Sequence, residues 1–313
     1  MQNTVTDIKG IKVGSFSDRQ ASTGCTVVLS EQGFLGSCEV RGGAPGTREK
    51  ALLEPNAGMD QVHGILLTGG SAFGLRAAAG VMDYLEEKEI GYPTGVARVP
   101  IIPAGVIFDL ARGDSEVRPD ADMAYQACCR AVDENIETGD CGVALGATVG
   151  KIRGMENCMS TGLGTASMRQ GKVIAGALAV CNALGDIRDP HSHEILAGAK
   201  KDDGSFVDSK QALISGLSVT DTDKEQPGAK MTNNTTLVVV AVNAQLNKTE
   251  VHKISQMAHN GLAQTIFPVH TMLDGDIVFT LAGGEIKGVD VSALGTMVTE
   301  VVSRAIVNCV LKK

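Results

Sequence analysis

The stretch TNNTTLVVVAVNA, residues 232–244, places Thr235 and Thr236 behind two asparagines at the mouth of an apolar run. A hydroxyl at the first position of a rigid strand, following a flexible segment, can be held against the carbonyl of its own preceding peptide bond. Attack there moves the Asn234 acyl group from nitrogen to oxygen, and water then releases the ester. The product is a new chain that starts at Thr235. The freed α-amino group has a reference pKa of roughly 7.7 to 8.0, near enough to neutrality to act as the hydroxyl's own base, so one residue supplies nucleophile and base. The competing reading is that Thr235 and Thr236 are ordinary β-formers opening a strand.

A second pair of residues bears on the choice. In PVHTMLDGDIVFTLA, residues 268–282, Asp274 and Asp276 stand two apart at the start of the next apolar strand. Period-two geometry sends both carboxylates to one face. If this strand neighbours the one at Thr235, they converge on its N-terminus. Two close carboxylates do not both ionise cheaply, so one keeps a proton to relay while the other anchors the Thr235 ammonium. A solvated DGD turn is the alternative.

The elements that must position these groups read as follows. Strands are expected near 25–30, 63–68, 173–181, 237–242 and 277–282. Their apolar runs are nearly continuous rather than alternating, as in strands covered on both faces. Helices are expected at about 71–88, 119–134, 249–266 and 290–311. The last of these carries Leu294, Val298, Val301, Val302, Ala305, Ile306 and Cys309 at helical spacing. Residues 199–234 are polar with Gly, Pro and mixed charge and read as a flexible linker, the one candidate boundary in an otherwise single α/β domain. The 38 glycines include a run from Gly139 to Gly176, where backbones must approach one another or a ligand closely.

Composition narrows the function. A net charge of −8, 3% aromatic residues and no Trp leave neither an electrostatic footprint for nucleic acid nor stacking platforms for bases. With no basic segment followed by an apolar one at MQNTVTDIKG and no uninterrupted run of apolar residues long enough for a bilayer, the expectation is a soluble, non-secreted, cytoplasmic protein without membrane contact. Its eight cysteines form no CxxC pair and read as reduced thiols.

Other motifs fail on spacing or partners. GATVGKI has three residues between its glycines and Ile152 after Lys151, so it is not a phosphate loop. TGGSAFG could present Ser71 as a nucleophile on a strand-to-helix turn, but Phe73 breaks the elbow pattern. Gly69, Gly70 and Ser71 read instead as a loop lining the substrate pocket, with Ser71 capping the helix. DPHSHEIL offers Asp189, His191, His193 and Glu194 as metal ligands without a distant partner of suitable geometry, and a solvated loop is the simpler reading. His63, His252, His259 and His270 lack a Ser or Cys partner, and His270 stands at best behind the acidic pair.

With these residues in hand the chain resembles the self-processing L-aminopeptidase/D-amino-acid esterase family of N-terminal-nucleophile-type hydrolases, which includes β-aminopeptidases and the nylon-oligomer hydrolase. The resemblance runs over nearly the whole chain through GIKVGSFSD, TGCTVVL, RGGAPGTRE, VHGILLTGGSAFGL, YPTGVARVPIIPA, GATVGK, GLGTAS, AVCNALGDI, NNTTLVVVAVNA and MAHNGLAQTIFPVHTMLDGD. It implies a four-layer αββα sandwich and cleavage between Asn234 and Thr235 into residues 1–234 and 235–313. The two pieces would stay together and form oligomers of such heterodimers. Thr235 matches the nucleophile, and Asp274 with Asp276 matches the acidic pair of the nylon-hydrolase branch rather than the Ser and Glu of the peptidase branch. Asn182 matches the amide that donates to the oxyanion, and Lys151 matches a lysine near the centre. CGVALGATVGK departs from the family's GAGTGATVGK, making the wall at residues 141–145 bulkier.

The expectation is therefore an amidohydrolase or aminopeptidase acting on a small or short-peptide amide or ester through an acyl-enzyme on Thr235, with no metal or organic cofactor. Two rivals stand beside it. One is an acyltransferase of the Thr-processed ornithine acetyltransferase type, and the other is a non-catalytic binding protein in which the Asn234–Thr235 bond stays whole.

Overall fold

A computed structural model describes residues 1–216 and 234–311. Part of the expected linker, residues 217–233, lies outside the described residues.

Nine strands form the principal sheet among the described residues: β1 (Lys12–Asp18), β2 (Thr23–Val40), β3 (Thr47–Arg48), β4 (Val62–Thr68), β5 (Ala104–Val106), β6 (Leu163–Gln170), β7 (Val173–Asn182), β8 (Thr235–Ala244) and β9 (Ile277–Ile286). Their order is β6-β7-β8-β9-β2-β4-β5-β3, with β1 also on β2. Pairing is antiparallel except β8 with β9 and β4 with β5. β2 serves two sheet halves. Its residues 25–29 pair with β4, its residues 35–40 pair with β9, and the register shifts between Leu29 and Phe34.

The two halves pack face to face. In β8, Leu237, Val239 and Ala241 enter one core with Val28, Ile65 and Leu67 of the other half. The alternate residues Val238, Val240 and Val242 pack instead with Val251, Ile254, Val298 and Val302. These last four belong to helices α4 (Lys248–Thr265) and α5 (Val291–Leu311). On the far side, Val27, Leu29 and Leu66 meet Ala78, Val81, Ala124 and Ala127, from α1 (Ala78–Glu86) and α2 (Ala121–Cys129). The result is the four-layer αββα sandwich. Every position of β8 is buried because both faces are covered, which is why its sequence is apolar without alternation.

Local signals set the helix ends. Asp120 caps α2 by accepting from Met123 N–H at 3.0 Å. Asn247 and Glu250 close a reciprocal capping box at α4. α5 has the length and hydropathy of a membrane span, with half of that window buried; its apolar face lies on β6 and β7. A β-carbon on Gly164 of β6 would stand 2.2 Å from the Ala305 carbonyl, so this strand position is glycine because the α5 backbone rests on it.

The expected elements recur with some differences. β1, β3, β5 and β6 were not anticipated: glycine, alanine and serine blur the patterns of β1 and β6, and β3 and β5 are only two and three residues long. The helix expected over 71–88 opens as a 3-10 segment, Ser71–Ala77, whose N-cap is Gly70 with no side-chain cap bond, so Ser71 does not cap it. Within 199–216, expected as loop, a short helix α3 (Ser209–Ile214) is pinned where the Asp186 carboxylate accepts the Ser209 N–H and hydroxyl at 2.8 and 2.6 Å.

Candidate active site

β8 begins at Thr235, between two strands that end or begin beside it. On one side Asn182, the last residue of β7, is its antiparallel partner. On the other, the parallel pairing of Asn234 with Asp274 and of Leu237 with Ile277 sets Thr235 level with Gly275. Thr235 is 4% exposed and Asn234 fully buried. The Thr235 hydroxyl donates to the Asn234 carbonyl oxygen at 2.6 Å, so the nucleophile already faces the peptide group that precedes it.

Asp274 and Asp276 lie just ahead of β9, which starts at Ile277, in the run that carries its ladder back to Asn234. Both are 1% exposed. Asp276 accepts the Thr236 N–H at 2.7 Å on one oxygen; on the other it accepts the His270 N–H at 3.1 Å and meets ring Nδ1 at 2.8 Å. A carboxylate in that position fixes the tautomer with the proton on Nδ1. Asp274 accepts the Thr271 N–H and hydroxyl on one oxygen, at 2.8 and 2.6 Å. Burial, then the charge of Asp276, pushes the Asp274 pKa up. Both effects disfavour the ionised form of Asp274.

Asn182 and Lys151 interlock behind the nucleophile. The Lys151 Nζ donates to the Asn182 backbone carbonyl at 2.9 Å and to its Oδ1 at 2.7 Å, while Thr148 N–H donates to the same Oδ1 at 3.1 Å. With donors on Oδ1, the amide cannot flip, and its NH₂ is directed to the Phe108 carbonyl at 3.0 Å with a second N–H to spare. Lys151 is 2% exposed, and burial pulls its pKa down from 10.5 to about 7 against the opposing charges of Cys158 and Asp274.

The Gly69–Ser71 loop joins this centre through residues 107–109. Ser71 N–H donates to the Ile107 carbonyl at 3.0 Å. The Asp109 carboxylate accepts Gly70 N–H at 2.7 Å and the Thr23 hydroxyl at 2.6 Å, with its pKa raised by burial. Asp109 was not singled out in the sequence, where a lone Asp after an apolar run carries no signal. Cys141, Val143 and Ala144 of the bulkier wall are buried in the inter-sheet core.

The histidines divide. His270 holds Asp276 and lies edge-on to the buried His259 ring, 4.8 Å between centroids. His259 touches the Glu39 carbonyl at 3.0 Å, and burial pulls its pKa down to about 4. His270 stands behind Asp276, and only the fold brings 259 and 270 together. His63 and His252 lie against Ile101 N–H and Ser37. In DPHSHEIL, Asp189 accepts the His191 and Ser192 N–H groups, while His191 and His193 are exposed. Among the described residues no three His, Cys, Asp or Glu side chains are grouped to hold a metal ion.

The profile of peptidase family S58 matches residues 3–313. The chain belongs to peptidase family S58. An uncharacterized aminopeptidase of Mycobacterium leprae is 39% identical over 295 residues, covering 91% of this chain and 80% of that protein. A 6-aminohexanoate-oligomer endohydrolase of Kocuria sp. is 28% identical over 320 residues, covering 96% and 84%. Among solved structures, the L-aminopeptidase D-Ala-esterase/amidase of Ochrobactrum anthropi, described as a variant of the Ntn-hydrolase fold, superposes with a TM-score of 0.69 at 14% identity, covering 98% of this chain and 85% of that one. This S58 member is thus a hydrolase acting on amide bonds, with the fold that the sequence resemblance implied.

Proposed function

We propose that this S58 hydrolase matures by cutting its own Asn234–Thr235 bond and then opens small amide or ester substrates through an acyl-enzyme on Thr235. The observation that carries this is the buried Thr235 hydroxyl on the Asn234 carbonyl oxygen at 2.6 Å, flanked by the acidic pair and by Asn182. After the cut, the Thr235 amine acts as base for its own hydroxyl, and the acidic pair anchors the new ammonium. Asp274 supplies and recovers a proton, Asn182 donates its spare N–H to the acyl oxyanion, and Lys151 fixes that amide. Water resolves the acyl-enzyme.

Residues 235–313 contribute β8, β9, α4 and α5, so the cut tail cannot leave without dissolving two of the three hydrophobic contact layers. The working form is then a heterodimer that assembles further with copies of itself in the cytoplasm. The Asp274/Asp276 pair matches the nylon-hydrolase branch, which supports short linear amides such as ω-amino-acid oligomers as substrates, in keeping with the name of the Kocuria relative.

A denaturing gel of purified protein over time tests the cut: two bands, of residues 1–234 and 235–313, support it, and one lasting band refutes it. Turnover of α-peptides, β-peptides, D-amino-acid esters and 6-aminohexanoate oligomers by the cut protein then ranks substrates. Acyl transfer to ornithine faster than to water would favour the acyltransferase instead.

A further inference from the structure

The Asn234 carbonyl oxygen receives a second donor. Gly275 N–H reaches it at 2.6 Å, in the parallel ladder that also joins Asn234 N–H to the Leu273 carbonyl at 2.9 Å. That is short for an N–H···O contact, whose usual separation is roughly 2.9 to 3.0 Å. A β-carbon added to Gly275 would stand 2.7 Å from the Thr235 hydroxyl oxygen and 2.7 Å from the Ala44 carbonyl. The φ of Gly275 is not in the left-handed region, so backbone torsion does not demand glycine here; the space taken by the nucleophile and by the Ala44 carbonyl does.

We propose that the Gly275 amide is the oxyanion donor of the self-cleavage step and that position 275 is glycine to leave room for the Thr235 hydroxyl. This rests on the self-cleavage reading and adds to it a group which neither the sequence motifs nor the acidic pair had indicated. When Thr235 Oγ1 bonds to the Asn234 carbonyl carbon, the C=O electron pair moves onto the Asn234 oxygen, where Gly275 N–H already points. Collapse of that intermediate breaks the Asn234–Thr235 C–N bond, and the hydroxyl proton ends on the Thr235 nitrogen as it becomes an amine. Water then hydrolyses the ester to the Asn234 carboxylate and restores the hydroxyl. A ladder hydrogen bond fixed before reaction needs no reorganisation as charge develops, the condition under which such a donor contributes most.

Asn182 does not occupy this place in the uncut chain, where its amide NH₂ is directed to the Phe108 carbonyl. Gly275 is the N–H donor to the Asn234 oxygen among the described residues.

The test follows cleavage of the full chain by denaturing gel from the moment of refolding, in wild type, Gly275→Ala and a semisynthetic chain whose residue 275 is glycolate, an ester that removes the N–H and little else. Thr235→Ala is the uncut control. The expected result is a slowing of about 10²- to 10³-fold for the ester chain and a comparable or larger loss for Gly275→Ala, with thermal unfolding showing both chains folded. An ester chain cut at the wild-type rate overturns the donor role even if Gly275→Ala fails to fold. A folded Gly275→Ala chain cut at the wild-type rate overturns the steric half. A wild-type chain that stays whole overturns the self-cleavage reading itself and this donor with it.

Discussion

Asp274 and Asp276 are two residues apart and equally buried, yet different elements hold them: Asp276 accepts Thr236 N–H at the head of β8 and meets two nitrogens of His270, while Asp274 accepts the Thr271 N–H and hydroxyl on one oxygen. Asp274→Asn, which imitates the protonated acid, is therefore expected to change unfolding free energy by less than about 1 kcal/mol while reducing self-cleavage. Asp276→Asn turns an NH₂ toward buried donors and is expected to cost about 1–3 kcal/mol. Urea unfolding of both variants checks this, and equal losses would contradict the raised pKa of Asp274.

Lys151 gives a pH signature of definite sign. Its folded pKa of about 7 lies below the ordinary 10.5, so above pH 7 the unfolded chain binds a proton that the folded chain lacks. Stability should rise with pH through this group, at up to about 1.4 kcal/mol per unit. The thiols of Cys25, Cys38 and Cys141, each pushed up to about 12 by burial, act oppositely once pH passes their ordinary 9.0. The Lys151 contribution is thus read between pH 7 and 9, as the difference in unfolding free energy between wild type and Lys151→Met. A difference that does not change with pH would refute the lowered pKa.

Asn182 is expected to act in turnover through its spare N–H. Asn182→Ala should lower kcat by about 10² to 10³ with a smaller change in KM, measured on protein already cut. An unchanged kcat would remove it from the oxyanion site.

At Thr235 the hydroxyl matters more than the methyl. Thr235→Ser should still yield both fragments, whereas Thr235→Ala should yield one band and no turnover. Turnover by an uncut Thr235→Ala chain would place the nucleophile elsewhere, and Ser71→Ala in the same assay would locate it.

The α/β class, the long strands around residues 237–242 and 277–282 and the last two helices were legible because long apolar runs and helical spacing survive any packing. β1 and β6 were not, since small residues that admit a neighbouring backbone, such as Gly164 beneath α5, weaken the very pattern that marks a strand. Ser71 as a helix cap failed because Gly70 takes the capping position in a left-handed conformation. The carboxylates were legible by type and spacing, and they stand just ahead of β9, where Asp274 pairs with Asn234.

The sequence by itself determined which groups are available: a hydroxyl behind an amide at Thr235, two acids two apart, a glycine between them and an amide at the end of an apolar strand. Only the tertiary structure decided their relation, because it depends on β8 lying between β7 and β9 with a register that sets Asn182 on one side of Thr235 and Gly275 on the other. Register is fixed by how two sheet faces and two helix layers fill space together, and no local stretch of residues contains that information.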